Sequence, residues 1–250
     1  MSLVLTEFEH SRVILPVIHP QSVDHAAENI EVAQKSGSDG IFLFCGNGST
    51  EQSLEDFLAV YAKIHRQYPG YFIGVNLLDW PVRWNDQNPA SSLPALSDFF
   101  SRLLYLRVPA VFVENSKFIE NSIEQPYIEV INQARQYSGV LLFGGVAFHD
   151  PGTHGYNLAS VNAKHSMDVV MTGGVERGTP PTLSKMYSLS EPLGDHPLGI
   201  SSGISPLNIL DYPMAKFFSA NTHIVTPGTE DLNPHLLGTM VGLVRKYLDR

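Results

Sequence analysis

The sequence predicts an α/β protein in which eight parallel strands, each followed by a helix, close into a single (β/α)8, or TIM, barrel. Three observations predict it. Short apolar runs recur at intervals of roughly 25 to 39 residues, each followed by a more polar stretch with helical spacing, as repeated βα units require. Most runs, among them VILPVI, GIFLF, AVFVE and DVVMT, are nearly continuous hydrophobics, which suits strands covered on both faces. The 250 residues match the common size of one such barrel. A doubly wound open sheet, the competing fold, would carry a glycine-rich turn after its first strand. Here that strand ends in Ile18-His19-Pro20 and no GxGxxG follows.

The expected strands are Val13–Ile18, Gly40–Phe44, Tyr71–Val75, Ala110–Glu114, Gly139–Phe143, Asp168–Thr172, Pro197–Ser201 and Thr222–Thr226. Between the first two, Ser22 can cap a helix that runs through Ala26, Ile30 and Ala33 and stops at Gly37. Thr50 opens the next helix, with Leu54, Phe57, Leu58 and Tyr61 on one face. The segment 79–94, with its Pro, Asn and Trp residues, reads as a long loop after the third strand. Ser205 before Pro206 is a helix start, so SPLNILDYPMAKFF is expected to be helical, interrupted near Pro213. A last helix from about Asn233 covers the first and last strands with Leu236, Leu237, Met240, Val241, Leu243 and Val244. No stretch has linker composition, so residues 1–250 read as one domain, with 1–10 as an N-terminal extension.

Composition narrows the function classes. The net charge of -9, with no cluster of Lys and Arg, argues against nucleic acid as a partner. No apolar run approaches the roughly 20 residues of a membrane-spanning helix, and Met1–Glu9 lacks a secretory signal. A single cysteine, Cys45, excludes a disulfide scaffold and fits a reducing compartment. The expectation is a cytoplasmic protein with a small-molecule partner and no membrane insertion; a homo-oligomer stays open.

In a barrel the active site lies at the carboxyl ends of the strands. The residues there are polar and glycine-rich. Ser202-Gly203 runs into the expected helix and Gly228 follows the eighth strand, which is where many barrels hold a phosphate; glycine after a strand is also an ordinary tight turn. Thr172, Gly173, Gly174 and Arg177 of the sixth turn form a second anion contact or a mobile lid, or Arg177 is simply a solvated loop arginine. Glu114 ends an apolar strand, so burial should raise its pKa and fit it for acid–base catalysis, unless it is a structural carboxylate. His19 and Asp79 are the other proton-transfer candidates, and Asn47, Asn76, Asn115 and His149 are expected in the pocket. No cofactor is expected. A divalent metal is the lesser alternative, through His19, Glu114, His149, Asp150 and His154, whose spacing matches no metal motif such as HExxH. Cys45 is a reactive thiol or, more commonly for a strand-end cysteine, an inert buried one. No lysine ends a strand; Lys117 lies past its own, which disfavours imine chemistry. Trp80, Trp84, Phe118 and Tyr156 either wall a pocket or pack loops down.

Taken in order along the chain, VIHP, GSDGIFLF, GVNLL, DVVMTGG and ISSGISPLNILDY resemble the BtpA/SgcQ-like TIM-barrel family. The SGI-to-helix piece is also similar to phosphate-binding barrels such as phosphoribosylanthranilate isomerase. The family resemblance implies a barrel linked to photosystem I assembly or to sugar metabolism, and it matches Thr172, Gly173, Ser202, Gly203 and Asn208 without giving them roles. The chain departs from the family at Cys45-Gly46-Asn47-Gly48 and at Leu78-Asp79-Trp80. The reading that results is an acid–base enzyme of isomerase or lyase type acting on a small phosphorylated or sugar-like metabolite. The alternative is a non-catalytic ligand-binding or assembly-factor barrel that uses apolar surface near Trp80 and Trp84.

Overall fold

In the computed structural model, which describes residues 6–46, 51–85, 87–118, 125–148 and 156–249, the apolar runs become a parallel sheet. Its segments are β1 (Val13–Ile14), β2 (Val17–Ile18), β3 (Ile41–Phe44), β4 (Ile73–Asp79), β5 (Ala110–Phe118), β6 (Leu141–Val146), β7 (Val169–Thr172), β8 (Leu198–Ser201) and β9 (Phe217–Ser219). β1 and β2 are halves of one stave broken at Leu15-Pro16. β1 pairs with β9 and β2 with β3, all in parallel register. Leu15 N and Val17 N donate to Phe218 O and Ala220 O on one side (2.9 and 2.8 Å), while Pro16 O accepts from Phe42 N on the other (3.0 Å). The first stave therefore joins both edges, and eight staves close into a barrel with no free edge.

Alternation along each strand sorts the core into two layers. Val13, Leu15, Val17, Phe42, Ala110, Phe112, Phe143, Val169, Met171 and Phe217 fill the barrel. Their neighbours Ile14, Ile18, Leu43, Val75, Val111, Val113, Val170, Ile200 and Phe218 face the helices. Phe42, Phe143 and Phe217 meet edge to face, with centroids 5.2 Å apart in each successive pair. Phe8, within the expected N-terminal extension, packs on Phe72 (4.8 Å) and Phe217 (5.7 Å).

The helices follow their punctuation. α1 (Val23–Lys35) starts at Ser22, whose Oγ accepts from His25 N at 3.0 Å, and ends before Gly37 at φ 79°. α2 (Glu51–Gln67) buries Leu54, Phe57, Leu58 and Tyr61 as spaced; Thr50 lies outside the described residues. The long loop after β4 contains a short 3-10 turn, Pro89–Ser92, which leads into α3 (Leu93–Tyr105). α4 (Gln125–Arg135), α5 (Asn157–Ala163) and α6 (Leu183–Leu193) follow β5, β6 and β7. α7 (Pro234–Tyr247), capped by Asn233, buries Leu237, Met240, Val241 and Val244 and leaves Leu236 and Leu243 partly covered.

Two expectations are corrected. The eighth stave is β9, Phe217–Ser219, and not Thr222–Thr226, which forms a turn and a single antiparallel bridge, Val225 to Leu232. The segment SPLNILDYPMAKFF is not a helix. It holds a 3-10 turn, Ile209–Asp211, and then the strand. Pro213 supplies no N–H to continue a helix, and Phe217 and Phe218 go to opposite sides of the barrel wall, which a strand permits and a helix does not.

Candidate active site at the carboxyl end of the barrel

Beyond the apolar layer, the next inward position on each strand reaches the mouth. Two residues past Val17, Phe42, Gly74, Phe112, Gly199 and Phe217 stand His19, Phe44, Asn76, Glu114, Ser201 and Ser219, and all six line one cavity. Arg177, Gly178, Ser202, Gly203, Asn221 and Thr222 complete much of its rim. The enclosed room is small, about 70 Å³, which suits the charged head of a metabolite.

Glu114 and Asn76 form one side of the cavity. Asn76 Nδ2 donates to Glu114 Oε1 at 3.2 Å. Burial pushes the Glu114 carboxyl above its ordinary value and the charge of Asp79 adds to this; the Asn76 hydrogen bond and the Arg177 charge pull the other way. His19 Nδ1 donates to Glu230 Oε2 at 3.1 Å, and its ring lies 4.7 Å from Phe44. Burial lowers the imidazole pKa against the pull of Glu230, and Arg177 lowers it further, so His19 is chiefly neutral near pH 7.

Arg177 is the cation of the mouth. Its guanidinium lies 5.8 Å from the Phe44 ring centroid, and no described carboxylate lies within ion-pair distance. The turn that carries it is held by hydrogen bonds to its neighbours. Thr179 Oγ1 donates to Glu176 O (2.6 Å), Gly178 N to Ser202 Oγ (3.0 Å) and His223 Nε2 to Gly178 O (2.8 Å). Ser202 itself is held at φ 138°, a region that favours glycine, and such outliers gather at functional sites. Gly203, at φ 66°, abuts the Thr179–Pro180 backbone so closely that a Cβ would collide with it.

Several expected site residues serve other ends. Thr172 Oγ1 is fully buried and donates to Val146 O at 2.9 Å. Gly173 and Gly174 allow the close approach of Ser201 O and Thr179 O. Gly228 sits at φ 80° in the turn 226–229, outside the cavity, although its neighbour Glu230 reaches His19. Asp79 and Asn115 bond each other at 2.9 Å on the exposed rim. Asp79 shares the parity of outward-facing Leu77, so it acts on Glu114 only through its charge. Asn208 holds the turn after β8, taking Ser205 N (2.9 Å) and giving Nδ2 to Gly203 O (2.8 Å). Asn47, His149, Asp150 and His154 lie outside the described residues. Among those that are described, no group of three or more His, Cys, Asp or Glu is placed to hold a metal.

Cys45 is buried and its thiol is pushed up to about 11 by burial, so it is an inert core thiol. Trp80 packs the loop down, 5% exposed, with Nε1 donating to Ser116 O at 3.2 Å. Trp84 meets Tyr127 at 5.1 Å. Sequence reasoning passed over Ser219, Asn221 and Thr222 because the eighth strand was misplaced, and Phe44 because strand parity was not applied to it. It also passed over Lys185. That side chain, 3% exposed on α6, donates from Nζ to Ala147 O and to Gly173 O (2.9 Å), tying together the ends of β6 and β7. No sequence signal marks it.

No protein-family profile matches this chain, and no curated protein matches it. Solved structures do. Phosphoribosyl anthranilate isomerase from Thermus thermophilus superposes with a TM-score of 0.62 at 10% identity, covering 94% of this chain and 98% of that one. Tryptophan synthase subunit alpha from Legionella pneumophila str. Paris gives 0.61 at 11%, over 94% and 93%. KDPG aldolase from Legionella pneumophila gives 0.58 at 12%, over 96% of both. At such identities the likeness carries the fold, a TIM barrel.

Proposed function

We propose that the chain is an acid–base enzyme of isomerase or lyase type that acts on a small phosphorylated or sugar-like metabolite at the barrel mouth. The observation that carries the reading is the pairing of Glu114 with Arg177 across one small cavity. Glu114 is a largely buried carboxyl of raised pKa fixed by an amide, and Arg177 is a cation with no ion-pair partner among the described residues. Arg177 holds the anionic group of the substrate and neutralises charge that develops near it. Glu114, poised nearer neutrality than a free carboxylate, takes a proton from carbon or oxygen and returns it to a neighbouring atom. Neutral His19 is the second group able to relay that proton. The anion rests on Arg177 and the Ser202 turn rather than on a helix dipole, since no long helix starts after β8.

The barrel enzymes named above include an isomerase and an aldolase, and an aldolase from Zymomonas mobilis ZM4 is described with 3-phosphoglycerate. They support this class of substrate by analogy of fold. The BtpA/SgcQ-like resemblance implies either sugar metabolism, which accords with this reading, or photosystem I assembly, which accords with the non-catalytic one. The non-catalytic alternative loses its main feature, since Trp80 is buried. The test is solvent-deuterium exchange in D2O, followed by proton NMR, across a panel of aldose, ketose and 2-keto acid phosphates. The wild type should wash deuterium into a carbon beside a carbonyl, and Glu114→Gln should lose that by about 100-fold or more. Equal exchange by both proteins, or none in a compound that binds, would sink the proposal.

A further inference from the structure

Two buried polar atoms in the mouth lack partners among the described residues. Asn76, 1% exposed, spends its Nδ2 on Glu114, and its Oδ1 has no donor; Ser219, 2% exposed, has no hydrogen bond at Oγ. Both side chains point inward by strand parity and both line the cavity that holds Glu114 and Arg177. Nearly all buried polar groups in folded proteins are satisfied, so a pair of exceptions in one cavity needs a reason. A ligand that completes them supplies it.

The chemistry of the two atoms limits that ligand. An amide oxygen only accepts, so the oxygens of a phosphate or carboxylate dianion repel it; it needs an O–H or N–H. A hydroxyl both accepts and donates, so an alcohol group can give its proton to Asn76 Oδ1 or exchange a hydrogen bond with Ser219 Oγ. An ammonium is the poorer donor here, because Arg177 already makes a positive charge unfavourable, as its effect on His19 shows. Resting on the reading of the mouth as an anion site, we infer that its ligand is a hydroxylated anion, with alcohol groups at Asn76 and Ser219 and its anionic group on Arg177. Bare phosphate and deoxygenated anions satisfy only half of the cavity.

Calorimetric titration with three matched probes tests this: glycerol 3-phosphate, propyl phosphate and 3-aminopropyl phosphate. Glycerol 3-phosphate should bind the wild type about tenfold or more tightly than propyl phosphate, and 3-aminopropyl phosphate should gain nothing over propyl phosphate. Asn76→Ala and Ser219→Ala should each sharply reduce the ratio of glycerol 3-phosphate to propyl phosphate affinity, while Arg177→Gln should weaken all three. Ser219→Ala removes a single oxygen and decides the matter alone should Asn76→Ala fail to fold. Equal binding of glycerol 3-phosphate and propyl phosphate, a preference for the ammonium probe, or an advantage that survives in Ser219→Ala would overturn the hydroxyl assignment while leaving the anion site standing. Binding of none of the three to folded wild type would bring down the anion reading and this inference with it.

Discussion

Burial of Glu114 costs the fold stability at neutral pH and, on the proposed reading, fits the group for proton transfer. The carboxyl sits one layer above Phe112, with one amide donor at hand, so its charged form is disfavoured relative to the unfolded chain. The folded state therefore holds a proton that the unfolded state releases, and this contribution to stability falls as pH rises from the ordinary carboxylate range through the raised folded value. Glu114→Gln keeps the shape and removes the ionisation. Its melting temperature should exceed that of the wild type at pH 7 and 8, and the gap should close on titration to about pH 4. A Gln variant less stable at every pH would mean that the carboxylate is a structural ion. His19 and Asp79 show why neighbouring strand ends differ: His19 has inward parity and enters the cavity, whereas Asp79 has outward parity and stays on the rim.

At the scale of elements, the turns after β7 and β8 behave as one clamp. Gly203 presses against Thr179–Pro180, Ser202 Oγ holds Gly178 N, and His223 holds Gly178 O, so Arg177 is aimed by three neighbouring segments. Gly203→Ala combines a left-handed φ with a backbone collision. It should cost about 2 kcal/mol or more in urea unfolding, and a loss under about 0.5 kcal/mol would show that the clamp yields easily. For that reason substitutions at Gly203 read out folding rather than anion binding. Seven of the eight staves and the caps of the first and last helices were legible in the sequence, because apolar runs, Ser22 and Asn233 act locally. The eighth stave was not. Lys216–Ser219 is too short to show a period, and the β-branched run Thr222–Thr226 imitates a strand while its backbone bonds turn back on Asp231 and Asn221. The mouth was legible in position but not in membership. Thr172 and Asp79 follow their runs as closely as Glu114 does, and only the two-residue period inward from the barrel core separates them. Lys185 was beyond reach, since its burial depends on where α6 lies over β6 and β7.

Across the whole molecule, the ion-pair network that closes the barrel and the candidate site occupy opposite ends. At the amino-terminal end, Nη2 of Arg245 on α7 donates to both carboxylate oxygens of Asp39 (2.8 and 2.7 Å), whose Oδ2 also accepts from Ile14 N (2.7 Å). Asp249 accepts from Ser11 N and Oγ at 2.8 and 2.6 Å. These bonds fasten the last helix to the first stave, where the barrel closes. Burial alone would raise the Asp249 carboxyl, but the Ser11 bonds and Arg245 hold it below its usual value. Its stabilising share is thus complete above the ordinary carboxylate range and is lost as pH falls through the lower folded value. Arg245→Ala strands the nearly buried Asp39 and should cost about 3 kcal/mol in urea unfolding while leaving ligand affinity at the mouth unchanged. An affinity change with no loss of stability would contradict this separation of the two ends.

The most direct test of the mouth as an anion-binding acid–base site is thermal shift of the wild type and Arg177→Gln against a panel of sugar phosphates and phosphorylated keto acids. At least one compound should raise the melting temperature of the wild type and leave that of Arg177→Gln nearly unmoved, the two proteins having similar stability when free. Equal shifts in both proteins, or none across the panel from a folded sample, would contradict it.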